Sequence, residues 1–292
     1  MNIFDSHVHL FNLRVIENVS QRKGLVERLN LQTHDSDKRM DIESLGQSLE
    51  ENGVVGGLVL PTAGPADVAR TNTHFYDKVA EHPRLHTAGT LHPDDPDLRE
   101  EIERLCRQGV RAIKLCSFSQ GFVLDGPPAI NLFDLIQRHN EKCPHPFFVV
   151  LDTLYRASSW FGTNSIYNTT PEKISKLVKR FPAINFVGAH MGGLSAPFEE
   201  IYTYLTPSAN LYLDTSNAAH TLAEEEFIGM LQRFGPGHIL FGTDWPWFIH
   251  QTEIASILEL TTAAGFGPDE KQAVFYGNIA KLLGLVAGKK EL

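Results

Sequence analysis

Cysteine is scarce in this chain: Cys106, Cys116 and Cys143 are the only 3 among 292 residues. They cannot all pair, and none lies in a Cys-x-x-Cys motif. That points to reduced thiols in a cytoplasmic setting, not to a disulfide framework. No apolar stretch is long enough to span a bilayer, and no basic or long apolar leader precedes the first strand-like run, so a membrane or secreted protein is not expected. Lysine and arginine never form a block, and the formal net charge is −9. A chain of that balance carries no electrostatic footprint for nucleic acid or an anionic membrane. Walker-type and G-x-G-x-x-G loops, the G-x-S-x-G elbow and H-E-x-x-H are all missing, which removes the nucleotide-binding, serine-hydrolase and zincin readings. Small molecules or proteins are the partners left, a small-molecule substrate first, with homo-oligomer formation left open by composition.

The composition itself, 42% hydrophobic and 21% charged, is that of a folded globular chain. Short apolar, β-branched runs alternate with helical patterns: residues 3–9, Val54–Leu60, Leu85–Leu91, Val110–Cys116, Phe147–Asp152, Ile184–His190, Leu211–Thr215 and Ile239–Asp244. Helices are expected at 42–52, 65–81, 97–107, 131–142, 171–180, 196–205, 221–233 and 251–264. Thr170-Pro171-Glu172 reads as an N-cap followed by proline at the first helical position, and Gly109 and Gly265 as left-handed caps. Eight βα repeats imply one α/β domain, residues 1–292, folded as a single (β/α)₈ TIM barrel, which takes about 250 residues. An additional amphipathic C-terminal helix, 269–284, is expected on the outside of the barrel. Two polar stretches, 11–40 and 153–170, are expected as long loops over the carboxyl-terminal mouth, where such loops shape substrate access.

The residues ending these runs carry the chemistry. His7 and His9 are two apart on one strand, so both imidazoles face the same way and can share one divalent metal. Asp244, in Gly242-Thr243-Asp244-Trp245-Pro246-Trp247, offers a carboxylate that can bind the metal with one oxygen and take a proton with the other. His190 ends the sixth run, either as a third metal histidine or as a group that orients the attacking water. Lys114 shares a strand face with Val110, Ala112 and Cys116, the interior one. There it could bind a substrate carboxylate, be carbamylated to bridge two metals, or snorkel to solvent. Asp152 reads as a ligand, a substrate contact or a partner for Arg156. Arg156 and Trp247 are candidates to position the substrate, and Asp214 reads as support behind the ligands.

With Asp5-Ser6-His7-Val8-His9-Leu10, Gly188-Ala189-His190-Met191-Gly192-Gly193 and Phe241-Gly242-Thr243-Asp244-Trp245-Pro246, nearly the whole chain resembles the amidohydrolase superfamily. It is most similar to the amidohydrolase-related branch of lactonase-like hydrolases and decarboxylases. The resemblance implies a barrel with its metal at the carboxyl-terminal mouth, His7, His9 and Asp244 as ligands, and His190 as a ligand or catalytic aid. One departure matters: the branch usually carries a histidine at the end of the fifth strand, where this chain has Asp152. Likewise Leu115-Cys116-Ser117 stands where a Leu-His-Pro run often follows the fourth. A binuclear centre is therefore not expected; what is left is one Zn²⁺-type ion completed by His190 or Asp152, a weakly held metal, or metal-independent lactonase-like chemistry, of which the first is the leading expectation. The expectation is a metal-dependent hydrolase using a metal-activated water on an ester, lactone or amide of a small carboxylated substrate. Its rivals are non-oxidative decarboxylation in the same cavity and a catalytically silent barrel acting as a binding module.

Overall fold

The computed structural model describes residues 1–285; the end of the expected domain, 286–292, lies outside the described residues. Nine parallel ladder segments arise from the eight apolar runs: β1 (Ile3–Val8), β2 (Val54–Val59), β3 (Leu85–Thr87), β4 (Gly89–Thr90), β5 (Ala112–Leu115), β6 (Phe148–Leu151), β7 (Asn185–Gly188), β8 (Leu211–Asp214) and β9 (Ile239–Leu240). β3 and β4 are one run interrupted at Ala88, whose N–H donates to the Val59 carbonyl. The regular ladder therefore forms two sheets, β1-β2-β3 and β4 through β9. Past β9 single bonds tie the last run to the first: Ser6 N–H to Phe241 O at 2.9 Å, Asp244 N–H to His7 O at 3.0 Å and His9 N–H to Trp245 O at 2.7 Å. This is an α/β barrel of the TIM type, with the ladder discontinuous between its two sheets.

Alternation along each strand separates two apolar layers. Phe4, Leu58, Ala112, Phe148, Val150, Val187, Tyr212 and Leu240 fill the interior. Ile113, Leu115, Val149, Leu151, Phe186 and Leu213 face the helices and meet Leu105, Phe133, Ile136, Leu177 and Leu231. The helices start and stop where local chemistry dictates. Asp41 caps Ile42–Glu51 by accepting from Ser44 N–H, and Thr170 caps Pro171–Arg180 by accepting from Lys173 N–H. Gly109 and Gly265 take positive φ, 75° and 86°, just beyond their helices.

Three expectations need correction. Residues 11–40 are not a loop: they hold helices Leu13–Ser20 and Lys23–Leu29, the first capped by Asn12. Their Ile16, Val19, Leu25 and Leu29 bury against Leu154, Ala157, Leu194, Trp247 and Phe248. Within 153–170 lies a short helix, Ala157–Phe161, and together the two segments roof the mouth. The C-terminal segment is not an outer helix either. It breaks into Pro268–Gln272, a π-turn at Ala273–Gly277 and helix Asn278–Leu283, whose Ile279, Leu282 and Leu283 join the interior cluster and floor the barrel. No helix among the described residues is long and apolar enough to cross a membrane.

Candidate metal centre and substrate cavity

β1 delivers its histidines through an irregularity. Asp5 accepts from the His7 N–H at 2.9 Å, so that amide leaves the ladder, and the β1–β2 register shifts between Asp5 and Val8. Asp5 is itself pinned by the Thr243 amide and hydroxyl, while its Oδ2 lies 3.1 Å from His250 Nε2. The first strand and the Thr243-Asp244 segment are thereby fixed to each other by one buried carboxylate. Gly242 allows the approach: a Cβ there would stand 2.8 Å from the His7 Cβ.

The result is a tight trio. His7 Nε2 and His9 Nε2 are 3.1 Å apart, and Asp244 Oδ1 lies 3.8 Å from the first and 3.5 Å from the second. Each Nδ1 is already committed. His7 Nδ1–H donates to Asp214 Oδ2 at 2.9 Å, and His9 Nδ1–H donates to the Leu60 carbonyl at 3.2 Å. Two imidazole lone pairs therefore confront each other with no proton between them, an arrangement a cation resolves. Nitrogen ligands at about 2.0–2.1 Å from one metal, at angles of about 90–110°, stand about 2.8–3.4 Å apart. The observed separation fits, and so does the chemistry of the donor set.

Asp214, at the end of β8, organises the surroundings. Its Oδ1 accepts from the His190 N–H at 2.8 Å, the Ser216 N–H at 3.2 Å and the Ser216 hydroxyl. Burial alone would push this carboxyl up; His7 beside it, then His190 and Ser216, outweigh burial and hold it well below the ordinary carboxylate range. Burial drives His7 down to about 4, so its ring is neutral and able to ligate. Asp244 follows the logic of Asp214: burial opposes ionisation, but the imidazoles of His9, His190 and His7 around it lower it.

His190 stands beside the trio, not inside it. Its ring centroid is 4.9 Å from that of His7. Its close grouping is with His7 and Asp214, whereas His7, His9 and Asp244 form their own. Its Nδ1–H is shared between the carbonyl and hydroxyl oxygens of Ser216, each 2.8 Å away. Since Asp214 is spent on these hydrogen bonds, His7, Asp214 and His190 form a scaffold, and His7, His9 and Asp244 are the residues that could hold a cation.

A cavity of about 700 Å³ opens from these residues. Lys114 sits at its base, fully buried, with no hydrogen-bond partner; Asp152 Oδ2 is 3.6 Å away. The interior face read for Lys114 is where the structure puts it, and the snorkelling alternative fails because no part of the residue reaches solvent. Asp152 loses ionisation to burial but regains more from Lys114 and His190, so it stays low. Its partner is Lys114. Arg156 is exposed, its guanidinium 5.4 Å from the Tyr155 ring centroid, and does not line the cavity. Trp247 lines it, with Phe11, Phe118 and Phe161.

Sequence reasoning missed Ser216, Asn217 and Arg14. Asn217 lines the cavity, is fully buried, and has neither amide atom satisfied within the protein. Such an orphan in a cavity wall is a group waiting for a ligand. The polar run Asp214-Thr215-Ser216-Asn217 after an apolar strand was the available signal. Arg14, which also lines the cavity, had no such signal, because it sits in a segment read as loop.

Comparison with known proteins agrees with this architecture. Among solved structures, the uncharacterized TIM-barrel protein Bb4693 of Bordetella bronchiseptica superposes with a TM-score of 0.73 at 18% identity, covering 97% of this chain and 99% of that one. A dihydroxybenzoic acid decarboxylase of Polaromonas sp. JS666, with bound manganese and 2-nitroresorcinol, gives 0.69 at 16% identity, covering 99% and 98%. A candidate 2-pyrone-4,6-dicarboxylic acid hydrolase of Pseudomonas putida gives 0.62 at 19% identity, covering 98% and 99%. At these identities the likeness is one of fold. Among curated proteins, none matches the sequence. The sequence model of the amidohydrolase family, however, matches residues 4–285, which include the His7, His9, His190 and Asp244 motifs, and the chain belongs to that family.

Proposed function

We propose that this chain is a metal-dependent hydrolase that cleaves an ester, lactone or amide bond of a small carboxylated substrate. One observation carries the reading: His7 and His9 have both Nδ1 protons committed and turn their Nε2 lone pairs on each other and on Asp244. A single divalent ion of the zinc type, held by His7, His9 and Asp244, would supply Lewis-acid polarisation and lower the pKa of water at the site.

The chain's own residues do the rest. Asp244 takes the proton of the attacking water and returns it to the leaving group. His190, its Nδ1 anchored on Ser216, turns Nε2 to the reacting oxygen. Lys114 receives the substrate carboxylate, because a buried ammonium without a hydrogen-bond partner is satisfied best by an incoming anion. Asn217 reads a polar group on the substrate, and the Phe11, Phe118, Phe161 and Trp247 walls exclude water. The name of the Pseudomonas putida relative supports hydrolysis.

A second reading, non-oxidative decarboxylation, is favoured by these flat aromatic walls beside Lys114 and by the name of the Polaromonas relative. Turnover of a panel of lactones and aromatic carboxylic acids in H₂¹⁸O separates the two. Hydrolysis puts ¹⁸O in the product acid. Release of CO₂ with no ¹⁸O in the organic product would replace the first reading by the second. Dialysis against a chelator is expected to remove activity, and zinc or manganese to restore it; full activity in metal-free protein would refute the cation's role.

Lys114→Met tests the anchor. Loss of a desolvated charge contact costs about 2 kcal/mol or more, about 30-fold in kcat/KM, and the loss should fall on KM. An unchanged KM with an unchanged thermal melt would remove Lys114 from substrate binding.

A further inference from the structure

Away from the mouth, the described residues bring together one other set of metal-type ligands: Cys106, His139 and Cys143, with one donor atom from each within 4.8 Å of the others. Cys106 lies in the last turn of helix Leu98–Arg107, His139 in the last turn of Pro127–Asn140, and Cys143 in the turn that leads to β6. Both helices run back against the strands, so these ends lie at the amino-terminal side of the barrel, opposite the cavity.

Three observations point to a cation. Both cysteines are free, and their sulfurs are 3.7 Å apart. A disulfide needs about 2.05 Å, whereas two thiolates at about 2.3 Å on a tetrahedral ion stand about 3.8 Å apart. His139 Nε2 is enclosed and has no hydrogen-bond partner, while its ring is held against Phe147 with centroids 5.0 Å apart. An imidazole with one nitrogen unpartnered, beside two thiols at metal-sharing distance, is a donor set that a cation would satisfy.

We propose that Cys106, Cys143 and His139 form a second site, for a thiophilic divalent cation such as zinc, with water in the fourth position. It would fasten two helix ends to the turn before β6. On loading, two S–H bonds give way to two sulfur–metal bonds, both protons pass to solvent, and no electron is transferred.

The experiment uses full-length protein stripped of metal and titrated with Co²⁺. The expected result is a near-ultraviolet thiolate-to-cobalt charge-transfer band that persists in Asp244→Asn, is lost in Cys106→Ser and Cys143→Ser, and needs about tenfold more Co²⁺ in His139→Gln. In the unmodified chain, zinc at about tenfold its dissociation constant should slow alkylation of Cys106 and Cys143 by about tenfold, as mapped by mass spectrometry. A band that survives in the Cys106→Ser/Cys143→Ser double variant would place cobalt on Cys116 and overturn the proposal. So would the absence of any band together with alkylation indifferent to zinc.

Discussion

Asp244→Asn is expected to lower kcat by about 10²–10⁴-fold, the range a positioned general base contributes. The substitution is nearly isosteric, and the backbone of Asp244, held in the left-handed region at φ 66°, tolerates asparagine as readily as aspartate. Fold and cavity should survive. What changes is the carboxylate: the amide cannot accept the proton of water, and it offers a weaker oxygen to the cation that His7 and His9 would hold. The check is kcat together with metal content by elemental analysis and a thermal melt. Full turnover on an identified substrate, with the melt unchanged, would end the proposed mechanism.

Asp214→Asn is expected to be nearly as damaging, although Asp214 does not line the cavity. Its two oxygens accept from four donors: His7 Nδ1–H, the His190 N–H, and the N–H and O–H of Ser216. An asparagine must aim an NH₂ at one of these, setting donor against donor in a buried place. If it faces His7, the ring relieves the clash by moving its proton to Nε2, the nitrogen that would ligate. Metal affinity should then fall about 10–100-fold, as for other partners behind metal ligands. Stability should fall as well, by about 1–3 kcal/mol for a buried donor left unsatisfied. Metal titration and chemical denaturation check the two effects separately. Unaltered metal affinity would show that Asp214 does not set the His7 tautomer.

The site was legible where chemistry sits at strand ends. His7 and His9, two apart on β1, had to share a face, and Lys114 had to point inward once Ile113 and Leu115 were assigned to the helix side. Both inferences need only the period of a strand. Asp152 and Arg156 show where that local reasoning stops. A one-turn spacing suggested a pair, but Asp152 meets Lys114 from the neighbouring strand β5, at 3.6 Å, while Arg156 turns to solvent. Cross-strand neighbours depend on register, which one strand's pattern does not carry.

The segment 11–40 failed for a different reason. Its helices are short, and their apolar positions Ile16, Val19, Leu25 and Leu29 are sparse. Helices of that length gain stability from the surface they cover, here Leu154, Leu194, Trp247 and Phe248. The C-terminal segment failed likewise: its apolar face was read correctly, but whether it covers the outside or plugs the interior depends on where the barrel leaves room.

Periodicity, turn residues and the placing of histidines and carboxylates at the ends of apolar runs were enough to specify the barrel, its family and the candidate ligands, because each is a local property of the chain. Only tertiary structure decided the tautomers of His7, His9 and His190, the buried ammonium of Lys114 facing an apolar cavity, and the orphaned amide of Asn217. Those properties are set by groups far apart in sequence that close packing forces to satisfy one another, or to go unsatisfied.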